Sequence, residues 1–569
     1  MERKWEIRSS DPDRAHHLAQ SLSISSLVAS ILVGRGIIEP EEADRFLHPS
    51  FALMRPPTDM KDMEEAADEI AGAIRDNKHI LIYGDYDVDG VTSVSLFKVF
   101  MDAIGANISY YIPSRIDEGY GLNPDSVRRI AERNVDLLVT TDCGISDHRE
   151  VEMAIDSGMK VIVTDHHEAS ATLPGASAVL NPHRADCAFP FKDLAGVGII
   201  FYLLVHLRTV LDREGIVPRS RTLDLRECLD LVALGTVSDI CPLLDENRLF
   251  VRNGLDLLTR EKRTGIKALK EVSGLATKEV NAWNVGFQLG PRINAVGRLG
   301  KADMGVKLLT TSSLAEALKT ARAMDIANLK RQQIGNDMVE DARAMILADR
   351  RFENKRSIVL ASERWHPGIV GIVASRLVNE FYKPTILIAL KQGRGRGSAR
   401  SIPGFNIYEG IRRCGSHLLG FGGHKNAAGV TIDAACLDDF VREFEQAVSD
   451  ELDEDDFVPR IAVDAELGLD KINLELVDSL QELKPFGMAN PEPIFATHDV
   501  KVHSKQTMAM RHLKMVLESE GNSAEAIWFN HPGREIRVGQ RVSVVYQPRI
   551  DTFTGKRKVV LHIKDLKKA

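Results

Sequence analysis

The chain has 569 residues, of which 44% are hydrophobic and 27% are charged, and this predicts a globular protein of several domains. No apolar run is long enough to span a bilayer, and the first residues lack the apolar stretch of a signal peptide, so we expect neither a membrane partner nor secretion. Six cysteines without paired spacing exclude a disulfide framework and a zinc site and indicate a cytoplasmic protein.

Charge is distributed unevenly along the chain. The net charge is −8, yet residues 501–569 contain 14 Lys and Arg against 6 Asp and Glu, which gives +8 and leaves −16 for residues 1–500. A basic carboxyl-terminal part on an acidic body is typical of a module that binds a polyanion such as nucleic acid. The alternative is chance clustering of basic residues on a small domain.

Residues 1–75 are predicted to be mainly helical and to pack on the first domain as a lead-in. From residue 78, short apolar runs alternate with helical segments. Strands are predicted at residues 80–83, 107–112, 135–140, 160–163 and 176–180, and this alternation predicts a parallel sheet covered by helices on both faces.

Acidic residues follow the first predicted strand at every second position, as Asp85, Asp87 and Asp89 in G-D-Y-D-V-D-G. Three carboxylates this close repel one another, and a divalent cation such as Mg²⁺ or Mn²⁺ would offset that repulsion. The alternative is a solvated acidic turn. Asp142 and the run 165–167 (D-H-H) follow two later strands, so we expect all three clusters at the same edge of the sheet.

Further along, a buried helix is predicted to end at Asp239, where a carboxylate is unfavourable for the helix dipole unless a cation or a turn stabilises it. One long helix is predicted over residues 312–349, followed by a second α/β pattern from residue 357. Two Gly-rich basic segments, 391–401 and 420–429, suit close approach to phosphate, although they could be plain loops.

Short alternating runs beyond residue 457 predict a small β-barrel. Basic residues occur there together with Trp528, Phe529, Tyr546 and Phe553. Aromatic and basic side chains suit single-stranded nucleic acid, because they stack on bases and attract phosphates. The alternative is that these aromatic residues form the core of the barrel.

Five motifs resemble those of the DHH phosphoesterase family, namely GDYDVDG (84–90), TTDCG (140–144), TDHHE (164–168), GTVSDICPL (235–243) and the GGHKNAAG (422–429) of the associated DHHA1 domain. The resemblance implies an α/β protein in which a parallel-sheet DHH domain is joined by a long helix to a smaller α/β DHHA1 domain, followed by a small OB-like β-barrel. The expected limits are 1–75 for the lead-in, 76–311 for DHH, 312–350 for the helix, 351–452 for DHHA1 and 457–569 for the barrel.

The resemblance also implies a set of site residues. Two Mn²⁺ or Mg²⁺ ions would be held by Asp87, Asp89, Asp142, His166 and Asp239, with Asp142 bridging them. Asp85, His167, Arg298 and His424 would act in catalysis, and Arg115, Tyr120, Ser398 and Arg400 would bind substrate. Asp165 would orient its neighbours without binding metal.

Members of this family with a terminal barrel are single-strand-specific 5′→3′ DNA exonucleases. The expected activity is therefore metal-dependent phosphodiester hydrolysis that releases 5′-mononucleotides from a single DNA strand, in recombination and repair. We expect a monomer that works with a helicase and a single-strand-binding protein. Two alternatives remain, a phosphodiesterase for cyclic dinucleotides or very short oligonucleotides, and a scaffold without catalysis.

Overall fold

The computed structural model describes residues 3–115, 118–298, 302–509, 511–552 and 555–569. In chain order, the strands are β1 (Lys4–Ile7), β2 (Ile80–Gly84), β3 (Ile108–Tyr111), β4 (Leu137–Thr141), β5 (Lys160–Thr164), β6 (Ala178–Leu180), β7 (Ile358–Ser362), β8 (Thr385–Lys391), β9 (Arg394–Arg400), β10 (Leu418–His424), β11 (Ala427–Asp433), β12 (Arg460–Val463), β13 (Ala465–Glu466), β14 (Phe495–Met508), β15 (His512–Ser519), β16 (Asn522–Trp528), β17 (Arg541–Asp551) and β18 (Lys558–Lys568).

The α-helices are α1 (Pro12–Leu22), α2 (Ser26–Gly34), α3 (Pro40–Leu47), α4 (Met63–Arg75), α5 (Val88–Ile104), α6 (Pro124–Ala131), α7 (His148–Asp156), α8 (Gly196–Arg213), α9 (Leu229–Ser238), α10 (Asp245–Arg260), α11 (Thr264–Val272), α12 (Ala282–Asn284), α13 (Gly290–Arg298), α14 (Asp303–Thr310), α15 (Leu314–Ala348), α16 (Arg351–Asn354), α17 (Val370–Phe381), α18 (Ile407–Arg413), α19 (Leu437–Glu451) and α20 (Leu474–Ser479). Within the described residues, no helix has both the length and the apolar composition that crossing a membrane requires.

The first sheet has the strand order β3-β2-β4-β5-β6, and every neighbouring pair is parallel. All residues of β2 and β4 are buried, which is the reason that these strands do not alternate between apolar and charged residues. Helices α6 and α7 share a core with Leu81 and Leu138, while α5, α8 and α9 pack on one another. The five predicted strands and the parallel sheet are confirmed, and parallel pairing brings the carboxyl ends of β2, β4 and β5 to one edge.

A second sheet, of order β10-β11-β9-β8-β7, forms the second lobe, with β7 and β8 parallel and the other pairs antiparallel. Both Gly-rich basic segments are strands in this sheet, whereas the sequence left open that they were plain loops. Glycine is poorly suited to strands, but close packing requires it here. A Cβ on Gly395 or Gly397 would approach side-chain carbons of Ile388 and Val430 to 2.6 Å.

The predicted long helix is observed as α15, whose 35 residues span about 52 Å. It begins at the N-cap Ser313, whose hydroxyl accepts a hydrogen bond from the Glu316 N–H. Its first half packs on α11, α13 and α14, and its second half contributes Val339 and Ala342 to the core of the second lobe.

Beyond residue 460, strands β14, β15, β16, β18 and β17 form a closed barrel, because β17 pairs with both β18 and β14. The predicted barrel is therefore confirmed. Its core also contains buried residues of α1, α2 and α3, among them Leu18, Leu32 and Phe46. The prediction placed residues 1–75 on the first domain, but residues 3–55 form a compact unit with the barrel. The amphipathic pattern of a helix indicates that one of its faces is buried, but it does not indicate which part of the protein packs against that face.

Candidate metal centre and substrate cavity

The acidic and imidazole clusters meet at the carboxyl edge of the first sheet, as their positions after β2, β4 and β5 predict. Asp87 is the N-cap of α5, and its side chain accepts hydrogen bonds from the N–H groups of Asp89 at 2.8 Å and Gly90 at 3.2 Å. The turn that follows β2 is therefore fixed by one of the carboxylates themselves.

His166 lies at the centre of the cluster. Its Nε2 is 3.1 Å from Asp142 Oδ1, 3.6 Å from Asp239 Oδ2 and 3.7 Å from Asp89 Oδ2. Burial and, after it, the neighbouring His167 lower the pKa of His166 to about 3, so the ring is neutral and able to donate a lone pair. Four of the five predicted metal ligands, distant along the chain, therefore converge within a few ångströms.

Asp142 belongs to two groups of possible ligands. One consists of Asp142, His166 and His167, and the other of Asp142, Asp85 and Asp87, and in each group the ligand atoms lie within 4.8 Å of one another. Asp142 has φ +58°, a left-handed conformation that costs energy for most residues, and it is held there directly after β4. A carboxylate shared by two adjoining groups is suited to bridging two cations.

Two carboxylate oxygens in this cluster are buried without a hydrogen-bond partner among the described residues, Asp85 Oδ1 and Asp142 Oδ2. Burial raises the pKa of Asp85, Asp89 and Asp142 well above the ordinary value, and repulsion from neighbouring carboxylates raises it further. Divalent cations would give both oxygens partners and offset the repulsion. The carboxylates and imidazoles of the two groups that share Asp142 are ligands that fit Mn²⁺ and Mg²⁺.

We expect Mn²⁺ to raise the unfolding temperature, and to raise it more at about pH 8 than at about pH 5.5. Since the pKa values of Asp85, Asp89 and Asp142 are higher in the folded protein than in the unfolded chain, the metal-free protein loses stability as pH rises above the ordinary value of 3.8. A bound cation removes this loss. Thermal unfolding in chelator and in excess Mn²⁺ should differ by roughly 5 °C at the higher pH.

Two variants of the first lobe make this measurement specific. Asp142→Asn should lose most of the Mn²⁺-induced rise, whereas Asp156→Asn, which changes an exposed carboxylate of α7, should keep it. An equal rise in both variants would show that the ion acts elsewhere.

Asp165 uses its carboxylate to hold neighbouring residues of the site by hydrogen bonds. Its Oδ1 accepts hydrogen bonds from the N–H groups of His166 and His167 and from His167 Nδ1 at 2.7 Å, and its Oδ2 accepts one from the Ile145 N–H. Although burial opposes ionisation, these hydrogen bonds and the His167 charge lower the pKa of Asp165. Burial likewise opposes the charge on His167, but Asp165 raises the pKa of His167 to about 9. Asp165 therefore orients His167 as a charged donor.

The structure adds one anchor that the sequence did not indicate, the start of α8. The N–H groups of Gly196 and Val197 donate to Asp89 Oδ2 at 2.6 Å and Oδ1 at 3.0 Å. A Cβ on Gly196 would lie 3.0 Å from Asp89 Oδ2 and 3.1 Å from the Asp142 Cβ. The only signal in the sequence was a small residue at the start of an apolar helix, and that pattern is too common to indicate a site.

The predicted substrate-binding residues and Arg298 line one cavity of about 1170 Å³, namely Arg115, Tyr120, Arg298, Ser398 and Arg400. Arg400 donates to Ser398 Oγ at 2.9 Å, and Arg298 donates to the Gly368 carbonyl oxygen at 2.9 Å. Burial and the nearby Arg115 lower the pKa values of Arg298, to about 9, and of Arg400. Within the described residues no carboxylate pairs with these three guanidinium groups, so the cavity attracts anions.

Tyr120 and His424 lie where this cavity approaches the carboxylate cluster. The Tyr120 hydroxyl donates to the carbonyl oxygen of Asp142 at 3.1 Å, and its ring packs edge-on to His167. His424 ends β10 of the second lobe, and its ring centroid is 6.1 Å from that of His167 in a nearly parallel orientation. The structure therefore brings together every candidate site residue that the sequence indicated.

The barrel aromatics are divided between core and surface. Trp528 and Tyr546 are buried, so for them the alternative of a barrel core is the correct one. Phe529 is 48% exposed and stands between the rings of His512 and His562. Phe553 lies outside the described residues.

Comparison with known proteins agrees with this geometry. Residues 79–236 match the model of the DHH family, N-terminal domain, residues 354–450 match the DHHA1 domain, and residues 463–565 match the RecJ OB domain. The chain is 39% identical to the single-stranded-DNA-specific exonuclease RecJ of Bacillus subtilis over 568 residues, which cover 99% of this chain and 70% of that protein.

Two solved structures are similar along the whole chain. The crystal structure of RecJ in complex with Mn²⁺ from Thermus thermophilus has a TM-score of 0.85 and 29% identity, and the match covers 100% of this chain and 80% of that one. The corresponding structure with Mg²⁺ has a TM-score of 0.78 and 27% identity, with 100% and 78% covered.

Proposed function

The chain belongs to the RecJ family, and on that premise we propose that it is a single-stranded-DNA-specific exonuclease that removes 5′-mononucleotides from the 5′ end, in DNA recombination and repair. The observation that carries this proposal is the position of Asp142, shared by two groups of possible metal ligands beside a cavity whose lining includes Arg115, Arg298 and Arg400, which pair with no carboxylate within the described residues. Carboxylates that hold cations and arginines that hold phosphates are the two parts that phosphodiester hydrolysis requires.

In this proposal, the ions are Mn²⁺ or Mg²⁺, and their ligands are Asp87, Asp89, Asp142, His166 and Asp239. When bound, two ions supply Lewis-acid polarisation of the scissile phosphate and lower the pKa of the attacking water. Asp165 keeps His167 in place through the 2.7 Å hydrogen bond, so that the imidazole can donate to a phosphate oxygen. Asp85 lies beside Asp87 and Asp142 in the second group of possible ligands and adds negative charge there.

The direction of digestion follows from the arginine cavity. A 5′-terminal phosphate monoester carries more negative charge than an internal diester, and it would bind Arg115, Ser398 and Arg400. Arg298 and His424 would then contact the next phosphate, where Arg298 offsets charge that develops during hydrolysis. Binding the end of the strand therefore selects the first internal linkage for cleavage.

The barrel is proposed as a second surface that binds single-stranded DNA. The exposed ring of Phe529 offers a stacking face, and the basic residues beyond residue 500 attract phosphates without reading sequence. Because an enzyme restricted to single strands needs one strand released from a duplex, we propose that it acts beside a helicase and a single-strand-binding protein. On the family resemblance, we also propose that it is a monomer. Its six cysteines are all free thiols, which suits the cytoplasm.

One experiment tests this function. A single DNA strand labelled at its 5′ or its 3′ end is incubated with Mn²⁺ or with chelator, beside a duplex of the same sequence. We expect the 5′ label to appear at once as a mononucleotide, the 3′-labelled strand to shorten gradually, and the duplex and chelator samples to stay intact. Faster turnover of a dinucleotide than of the long strand would point instead to a phosphodiesterase for short substrates, and binding without turnover would point to a scaffold.

A further inference from the structure

Two aromatic side chains outside the cavity are exposed and stacked on each other. Trp283 is 59% exposed and Phe287 is 69% exposed, and their ring centroids are 5.3 Å apart with an interplanar angle of 26°. The indole N–H of Trp283 makes no hydrogen bond within the described residues. Large aromatic rings that leave their faces in water mark a binding surface more often than an accident of folding.

The backbone that carries this pair is unusual and well fixed. Asn281 and Asn284 form a capping box at the start of α12, and α12 continues into a π-helix, Val285–Leu289, which carries Phe287. π-helical turns are rare and occur frequently at functional sites. Between the two aromatics, Gly286 has open space where a Cβ would be, so the surface beside the rings stays accessible to a ligand.

The same helical segment leads to the arginine cavity. It continues from the π-helix through α13 to Arg298, which lies about 16 Å from Phe287 along the axis. Two close contacts hold it against the site, since a Cβ on Gly290 would lie 2.5 Å from the Ser238 Oγ, and one on Gly297 would lie 2.6 Å from the Tyr86 carbonyl oxygen. The aromatic pair is therefore held at a set distance from the cavity.

We propose that Trp283 and Phe287 form a stacking platform for bases of the substrate strand on the 3′ side of the scissile linkage. The proposal rests on the proposed function, because it takes single-stranded DNA as the occupant of the cavity. One helical segment carries both the aromatic pair and Arg298. A DNA strand with a phosphate at Arg298 would extend beyond the cavity and could reach the aromatic pair, and this favours a nucleic acid over a protein as the partner. Aromatic faces bind any base, so the platform would hold the strand without sequence preference.

Fluorescence of Trp283 gives a direct test that needs no turnover. In an Asp142→Asn background, oligodeoxythymidylate of about 20 nucleotides should quench tryptophan emission, and Trp283→Phe should remove most of the quenching. Trp5, Trp365 and Trp528 are present in both proteins, so the difference in quenching between them reports Trp283 alone. The double variant Trp283→Ala/Phe287→Ala should bind this strand at least about tenfold more weakly.

In the active protein, the same double variant should hydrolyse a 5′-phosphorylated dinucleotide at the native rate, because so short a substrate does not reach the platform. Leu347→Ala, which removes an exposed apolar side chain from α15, away from the aromatic pair in sequence, should match the native protein on both substrates. Trp283→Phe/Phe287→Tyr keeps both rings and should keep long-strand binding. The platform proposal would be overturned if the Trp283→Ala/Phe287→Ala variant bound the long strand with native affinity. It would also be overturned if this variant lost as much activity on the dinucleotide as on the long strand. A native protein that quenches but does not hydrolyse would instead overturn the proposed function.

Discussion

Asp142→Asn should abolish metal-dependent hydrolysis while leaving single-strand binding within about threefold of native. Asp142 is the carboxylate shared by both groups of possible ligands, so its loss should weaken both cation sites at once. Several kcal/mol of charge stabilisation depend on such ions, and each ~1.4 kcal/mol is tenfold in rate, so we expect a fall of about a thousandfold or more. Asparagine is the suitable replacement, because it tolerates the left-handed backbone at this position.

The measurement is the rate of mononucleotide release over a range of Mn²⁺ concentrations, with calorimetric titration of Mn²⁺ in parallel. Asp156→Asn makes the same chemical change on an exposed carboxylate of the first lobe and should keep native rates and metal stoichiometry. Turnover of Asp142→Asn that Mn²⁺ still supports at a native rate would mean that this carboxylate does not bridge the ions.

Arg400→Ala should remove the preference for a 5′-phosphate. The Arg400 guanidinium is held by Ser398 Oγ and the Ala399 carbonyl oxygen and has no carboxylate partner among the described residues, so its charge is available to an anion. A charge-assisted hydrogen bond contributes about 1.5–3 kcal/mol. We therefore expect kcat/KM on 5′-phosphorylated strands to fall roughly 10- to 150-fold, with less than about a threefold change on 5′-hydroxyl strands.

Two further variants of the second lobe complete this comparison. Arg412→Ala removes an exposed arginine that pairs with Glu409 on the surface, and it should leave both substrates unaffected. Arg400→Lys keeps the charge but loses the planar fork, so it should fall between the native protein and the alanine variant. A loss of equal size on phosphorylated and unphosphorylated strands would exclude recognition of the terminal phosphate.

Local sequence patterns predicted the first lobe well. Each strand of the parallel sheet was a short apolar run, and chain topology alone places the residues that follow such strands at one edge. Asp89, Asp142 and His166 were therefore expected near one another before any coordinates. Asp239, in contrast, follows a helix, and Arg298 and Arg400 lie on elements whose neighbours no local pattern specifies. Local patterns gave Asp239 a choice between a cation and a turn and placed Arg400 in a segment suited to phosphate, but only the family resemblance assigned all three residues to one site.

Other features depend on contacts between distant segments, and the sequence does not contain them in local form. The apolar faces of α1 and α2 showed that these helices are buried but not that the barrel buries them. An aromatic residue in a barrel strand suits the core and a stacking surface equally, and only coordinates separate Trp528 from Phe529. The left-handed backbone of Asp142 and the anchor from Gly196 to Asp89 have no sequence signature.

Helix α15 has a mechanical consequence for the proposed enzyme. Its two halves are embedded in the two lobes, and an α-helix resists stretching, so in the proposed enzyme it would fix the distance between Ser398 and Arg400 in one lobe and the proposed metal ligands in the other. The gap it maintains decides how many linkages separate the held end of the strand from the cut. Product size would then be a property of architecture, and a change in that spacing should alter the length of the released fragment.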